Sequence, residues 1–201
     1  MADRVPVVPP PRTQIVRADI SARARTIVIG LGNPLLGDDG VGWRVADEVE
    51  QLIATARAAG RTLPDIEIER LGVGGLRLME VLTGYSAAIL VDAAEFPDRP
   101  VGEVRSCCFD ALADFAAGHL DSAHDASLRT ALALGRRLGA DLPDDIQAVT
   151  IQAHRTDEFS EELSPEVAAA VPAAARSVVE LLARPAFNPS SDAQIGGDRL
   201  A

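Results

Sequence analysis

The chain has 201 residues, 47% of them hydrophobic, with 30 acidic against 19 basic residues and a formal net charge of −11. That length and apolar content fit one domain with a sizeable core, the acidity disfavours nucleic acid, whose phosphates demand clustered Lys and Arg, and no apolar run approaches the ~20 residues of a membrane span. Every basic residue is arginine, which removes a P-loop lysine, a Schiff-base lysine and a Ser-Lys dyad from consideration.

Residues 1–24 are rich in Pro and Arg and are expected to form a flexible leader. The segment MADRVPVVPPPRTQ puts proline where a secretory signal needs a continuous apolar helix. The apolar, β-branched run Thr26 to Ile29 predicts a first strand near Thr26 to Leu31. It breaks at Gly30, passes Gly32-Asn33-Pro34 and reaches the paired carboxylates Asp38-Asp39, after which Gly40 and Gly42 open a helix to about Ala59. Val41, Val45, Val49, Leu52 and Ile53 recur in that helix at helical spacing. A strand–glycine turn–helix unit sets its loop residues at the carboxyl edge of an α/β sheet. Two carboxylates at such a mouth repel an anion and attract a cation, so the loop points to a metal or proton-handling site rather than to a nucleotide.

Asp65 to Leu71 alternates as a second strand, and Gly72-Val73-Gly74-Gly75 leads into a short helix over Leu76 to Leu82. Ala87 to Val91 is an apolar third strand ending at Asp92, and Val101 to Phe109 is a fourth, entered by a turn through Pro97 to Gly102. Within it Cys107 and Cys108 are adjacent. On a strand they face opposite ways, forming neither an ordinary disulfide nor a two-thiolate metal clip. Without a disulfide framework the expected compartment is the cytoplasm. A polar loop around Gly118 to Asp125 precedes a helix from about Ala126 to Leu138, and Asp145 to Gln152 is a fifth strand. Ser164-Pro165-Glu166 is a strong helix start, with Pro at the first helical position. That helix runs to about Ala183, with Pro172 as a possible kink. A single α/β domain over 25–184 and a flexible tail over 185–201 complete the organisation. Strands alternating with helices predict a three-layer α/β/α sandwich around a twisted, mostly parallel five-stranded sheet, phosphorylase/hydrolase-like in type.

If the first and third strands are neighbours, Asp39 and Asp92 share the crevice at their carboxyl ends. A third ligand must come from a loop on that edge, and His119, His124 and His154 are the candidates. His124 stands in a polar loop just before a helix. Two carboxylates and an imidazole suit a borderline divalent cation such as nickel or zinc, with positions left open. Each residue also has a plainer reading: Asp39 as a helix-capping carboxylate, Asp92 as a turn cap, each loop histidine as a solvated side chain. Their placement on one edge is what joins them. Nucleophilic schemes fare poorly, since Ser86 and Ser106 lack a nucleophile elbow and neither cysteine has a histidine near it in sequence.

At this point the chain resembles the [NiFe]-hydrogenase maturation endopeptidases. Their opening motif, Gly-x-Gly-Asn-x-Leu-x-x-Asp-[Asp/Glu]-Gly-[Val/Ile/Ala]-Gly, stands complete as Gly30 to Gly42. The match continues through Gly74-Gly75, Val91-Asp92-Ala93, Ser122-Ala123-His124 and Leu163-Ser164-Pro165, over roughly residues 26–183. The resemblance implies a twisted five-stranded sheet with one strand opposed to the rest. It implies metal-contacting residues at Asp39, Asp92 and His124, with Asp39 where some members carry the longer Glu. It also implies an activity: removal of a short C-terminal extension from the hydrogenase large-subunit precursor once nickel is loaded. The nickel is supplied by the substrate, though zinc or another divalent cation could occupy the site in isolation. Asp38 or Asp39 would act as general base on a water, and the enzyme would work as a monomer.

Two other readings follow from the same residues. Peptidyl-tRNA hydrolases also begin with a strand and Gly-Leu-Gly-Asn-Pro, but the continuation Leu35-Leu36-Gly37-Asp38-Asp39 departs from theirs and the acidic, lysine-free chain suits tRNA poorly. A non-catalytic module that binds the large subunit without cutting it would fit a degenerate His124 loop.

Overall fold

The computed structural model describes residues 25–72, 74–111, 128–184 and 187. Apolar alternation in the strands and apolar stripes on the helices leave one way to bury both: a sheet with helices on each face. The strands are β1 (Arg25–Leu31), β2 (Asp65–Leu71), β3 (Ala87–Ala94), β4 (Val104–Cys108) and β5 (Asp145–Gln152). They lie in the order β2-β1-β3-β5-β4. β1 is parallel to β2 and β3, and β3 to β5, while β4 alone runs antiparallel, against β5. The expected sheet, with one opposed strand on its edge, is the observed one.

The helices are α1 (Val41–Ala58), α2 (Gly75–Leu82), α3 (Leu128–Arg137) and α4 (Pro165–Leu182). α1 and α4 cover one face, where Val45, Val49, Val167, Ala174 and Val178 pack on Val28, Ile89, Val91 and Val149. α2 and α3 cover the other, where Leu78, Leu82, Leu128 and Leu132 pack on Ile27, Ile29, Leu90 and Ala148. Odd-numbered β3 residues Ile89 and Val91 belong to the first core and even-numbered Ala88 and Leu90 to the second, as the period of two in a strand requires. Cys107 packs against the second core and Cys108 is exposed, so the two thiols do face opposite ways.

Four sequence expectations shift. β3 continues past Val91 to Ala94, because Asp92, Ala93 and Ala94 pair with Thr150, Ile151 and Gln152 of the equally long β5. β4 starts at Val104 rather than Val101, since Gly102 adopts φ +82 and Glu103 closes a turn onto the Pro100 carbonyl. α4 runs through Pro172 without a break, the proline ring lying on its exposed side. Finally, the core reaches beyond the expected boundary at 184: Phe187 is fully buried between the α1/α4 elements and the sheet, and its carbonyl accepts a hydrogen bond from the Thr26 hydroxyl at 3.3 Å. A large apolar side chain gains more by joining that core than the short connection costs in order. The leader expected over 1–24, the start of the third helix near Ala126 and the rest of the tail lie outside the described residues.

Candidate active site

The loop after β1 is shaped by what its glycines allow. Gly32 has φ +122, and a Cβ there would strike the Asp39 carbonyl. Gly42 sits where a Cβ would drive into the carbonyls of Leu31 and Val91. Their bare backbones let the start of α1 rest directly on the carboxyl ends of β1 and β3. Between them, Asn33 uses its side-chain oxygen to accept from Leu35 N at 3.0 Å, and its carbonyl accepts from Leu36 N at 3.0 Å. This Asx turn feeds a buried 3-10 turn, Gly37–Gly40, that carries both carboxylates and packs against β3.

Asp39 is 5% exposed, and its Oδ2 accepts a hydrogen bond from Asn33 N at 2.6 Å. Asp92, 1% exposed, lies within β3 next to Val91, whose carbonyl contacts the Gly42 backbone. The topology therefore brings these two expected ligands to the same edge, at the crevice between β1 and β3. Two carboxylates at one edge are oxygen donors of the kind that divalent ions take. Among the described residues, no three His, Cys, Asp or Glu side chains are grouped closely enough to hold one. His124, the expected third ligand, lies outside the described residues, as does His119.

Asp38 has a different surrounding from its neighbour. Its side chain is wholly buried, Oδ1 accepting from Ser164 N at 2.6 Å and Oδ2 from the Ser164 hydroxyl at 3.0 Å. Ser164 precedes α4 and makes no side-chain cap of its own. Asp38 supplies the negative charge that the N-terminus of α4 favours, from 126 residues away in the chain. Its own N–H donates to the Arg155 carbonyl at 2.9 Å, and Gly37 N donates to the Ser160 carbonyl at 2.7 Å. The loop after β1, the loop after β5 and the head of α4 are thus one hydrogen-bonded unit. His154 enters this unit with Nδ1 3.7 Å from Asp38 Oδ2. The sequence offers it as one of three candidate ligand histidines, two residues past a strand; its link to Asp38 depends on the order of the parallel strands. The thiol route stays closed, as burial pushes the half-buried Cys107 thiol up, toward its protonated and unreactive form.

The sequence model of a family described as hydrogenase maturation protease matches residues 49–181, so the opening loop with Asp38 and Asp39 is a separate point of likeness. A hydrogenase expression/formation protein, HupD of Thiocapsa roseopersicina, is 23% identical over 158 residues, spanning 79% of this chain and 67% of its own. Among solved structures, the hydrogenase maturating endopeptidase HybD from E. coli is 26% identical with a TM-score of 0.63, covering 79% of this chain and 91% of its own. The [NiFe] hydrogenase maturation protease HybD from Thermococcus kodakarensis is 25% identical with a TM-score of 0.57, covering 80% and 99%. The chain belongs to the hydrogenase maturation protease family and is a peptidase.

Proposed function

We propose that this peptidase removes the C-terminal extension of a nickel-loaded [NiFe]-hydrogenase large-subunit precursor, and that the nickel belongs to the substrate and reports that loading is complete. The single observation that carries this reading is the placement of buried Asp39 and Asp92 at one sheet edge, in a loop and strand end that resemble the family's motifs. His124 would complete the grip from the loop before α3. Nickel held there positions and polarises the scissile carbonyl. Asp39 takes a proton from the attacking water, a role suited to a carboxylate anchored through one oxygen by Asn33 N. Asp38, spent on Ser164 through both oxygens, positions the loop instead. Zinc or another divalent cation would occupy the site when no substrate is present.

The protease would act as a monomer in the cytoplasm, which suits its two free cysteines, and its partner would be the precursor protein rather than nucleic acid or a membrane. No helix among the described residues is long and apolar enough to cross a bilayer.

The test is incubation of the purified protein with nickel-loaded and nickel-free precursor, read by mass spectrometry for release of the C-terminal peptide. Release from the loaded form alone, lost in Asp39→Ala, is the expected result. Equal cleavage by Asp39→Ala would remove this site from the reaction.

A further inference from the structure

Peptide hydrolysis needs two proton movements: one away from the attacking water and one onto the leaving nitrogen, which departs poorly as an amide anion. Asp39 can supply the first. A group separate from the base that receives the water's proton can supply the second, and at this edge His154 is so placed.

Three observations place it. Ala153 N donates to the Ala94 carbonyl at 2.9 Å, extending the β3–β5 ladder beyond Asp92 and delivering residue 154 to the carboxyl edge of the sheet. The segment that follows is tied down from several sides. Arg155 O accepts from Asp38 N, Thr156 Oγ1 donates to Glu95 at 2.5 Å, and Ser160 N donates to the Leu35 carbonyl at 3.0 Å. The imidazole itself is 53% exposed, with Nδ1 3.7 Å from the Oδ2 of a carboxylate that has no exposure at all. The approach sets a half-exposed imidazole beside a buried carboxylate that is fixed through both oxygens at a helix N-terminus. The arrangement is that of a base oriented by a third group, in which the oriented nitrogen faces the acid and the other is left for the substrate. A separation slightly beyond hydrogen-bond length is normal before substrate closes such a contact.

We propose that His154, oriented by Asp38 through Nδ1, is a further catalytic residue that donates a proton from Nε2 to the leaving amine of the scissile bond. This rests on the proteolytic reading above. In the full step, the water oxygen bonds to the carbonyl carbon while its proton passes to Asp39. The C–N bond then breaks, the nitrogen takes the Nε2 proton, and the imidazole is reprotonated from solvent as Asp39 releases its proton there. The net reaction is addition of one water across the peptide bond. Asp38 acts through His154 and is a positioning residue.

An amide and an ester at the scissile position separate this role from a structural one, because an alkoxide leaves with far less need of a proton than an amide nitrogen does. The nickel-loaded precursor, semisynthetic at its C-terminus with either bond, is cleaved by the wild type, His154→Ala and His154→Gln. The expected result is a fall in kcat on the amide of about 10²-fold in both variants, with KM and the unfolding midpoint unchanged and the ester cut within a few-fold of wild type. Equal losses on amide and ester, a rise in KM alone, or wild-type rates on the amide would each overturn the proposal. If the wild type cuts the precursor and the His154 variants do so equally well, only this inference falls. If the wild type cuts neither substrate, the proteolytic reading falls and takes the inference with it.

Discussion

At the carboxyl end of the sheet, Asp38, Asp39 and Asp92 are all buried. At the amino end the balance reverses. An apolar groove runs between Leu52 and Ala56 of α1, Leu63 and Pro64 before β2, and Val179 and Leu182 of α4, with no carboxylate in its lining. Small-molecule enzymes usually put their chemistry in an apolar pocket, whereas this groove and the buried carboxylates lie at opposite ends of the sheet. A protease whose substrate is a folded protein presenting a tail needs no enclosing cavity. It needs anchored charges at an accessible edge, and the cost of burying Asp38 and Asp39 is offset by donors from Ser164 and Asn33.

Substitutions at the two ends should separate these roles. The largest effect is expected from Gly42→Ala, whose methyl would wedge α1 away from the Leu31 and Val91 carbonyls. We expect a loss of about 3 kcal/mol in denaturant unfolding and no processing. Asp38→Ala comes next. It strips the head of α4 of a charged acceptor and leaves buried Ser164 N without its partner, which should cost about 2 kcal/mol in the same assay and lower activity by freeing His154. A far smaller change is expected from Leu52→Ser in the groove, where the side chain is 36% exposed. Stability should move by less than about 1 kcal/mol and processing should hold. Loss of processing in that variant would break the division between the ends, and would make the groove a docking surface.

The smallest effect is at Tyr85, before β3 at the amino end, where burial first and Glu67 second push the phenol up to about 12 against the opposing Arg25. Arg25 lies over its ring at 4.8 Å. With the folded-state value above the unfolded one near ~10, the protonated phenol's stabilisation is complete below pH ~10 and is lost as pH rises toward 12. Tyr85→Phe should therefore flatten the stability profile between those limits in alkaline unfolding curves and leave neutral-pH processing alone. An unchanged profile would mean that the phenol does not contribute.

What the sequence made legible follows from range. Strand alternation, the α1 stripe and the Gly30–Gly42 turn are local patterns, and they yield the layers; a shared edge for Asp39 and Asp92 is conditional on β1 and β3 being neighbours, which the strand order supplies. The sequence offers Asp38 or Asp39 as the general base. The attachment of Asp38 to Ser164 is a contact between opposite ends of the domain that no local signal carries. The same holds for His154, whose neighbour depends on β1, β3 and β5 lying side by side, and for Phe187, which composition placed in a tail and packing placed in the core. β3 outran its predicted end because a strand's length is set partly by its partner, and β5 pairs through Gln152.

The central claim is that buried Asp39 and Asp92 form the reacting edge of a precursor-processing protease. Mass spectrometry of a nickel-loaded large-subunit precursor, treated with the wild type and with Asp39→Ala and Asp92→Ala, tests it most directly. The account predicts release of the C-terminal peptide by the wild type alone, with all three proteins folded by circular dichroism. Release at wild-type rate by either folded variant would contradict it.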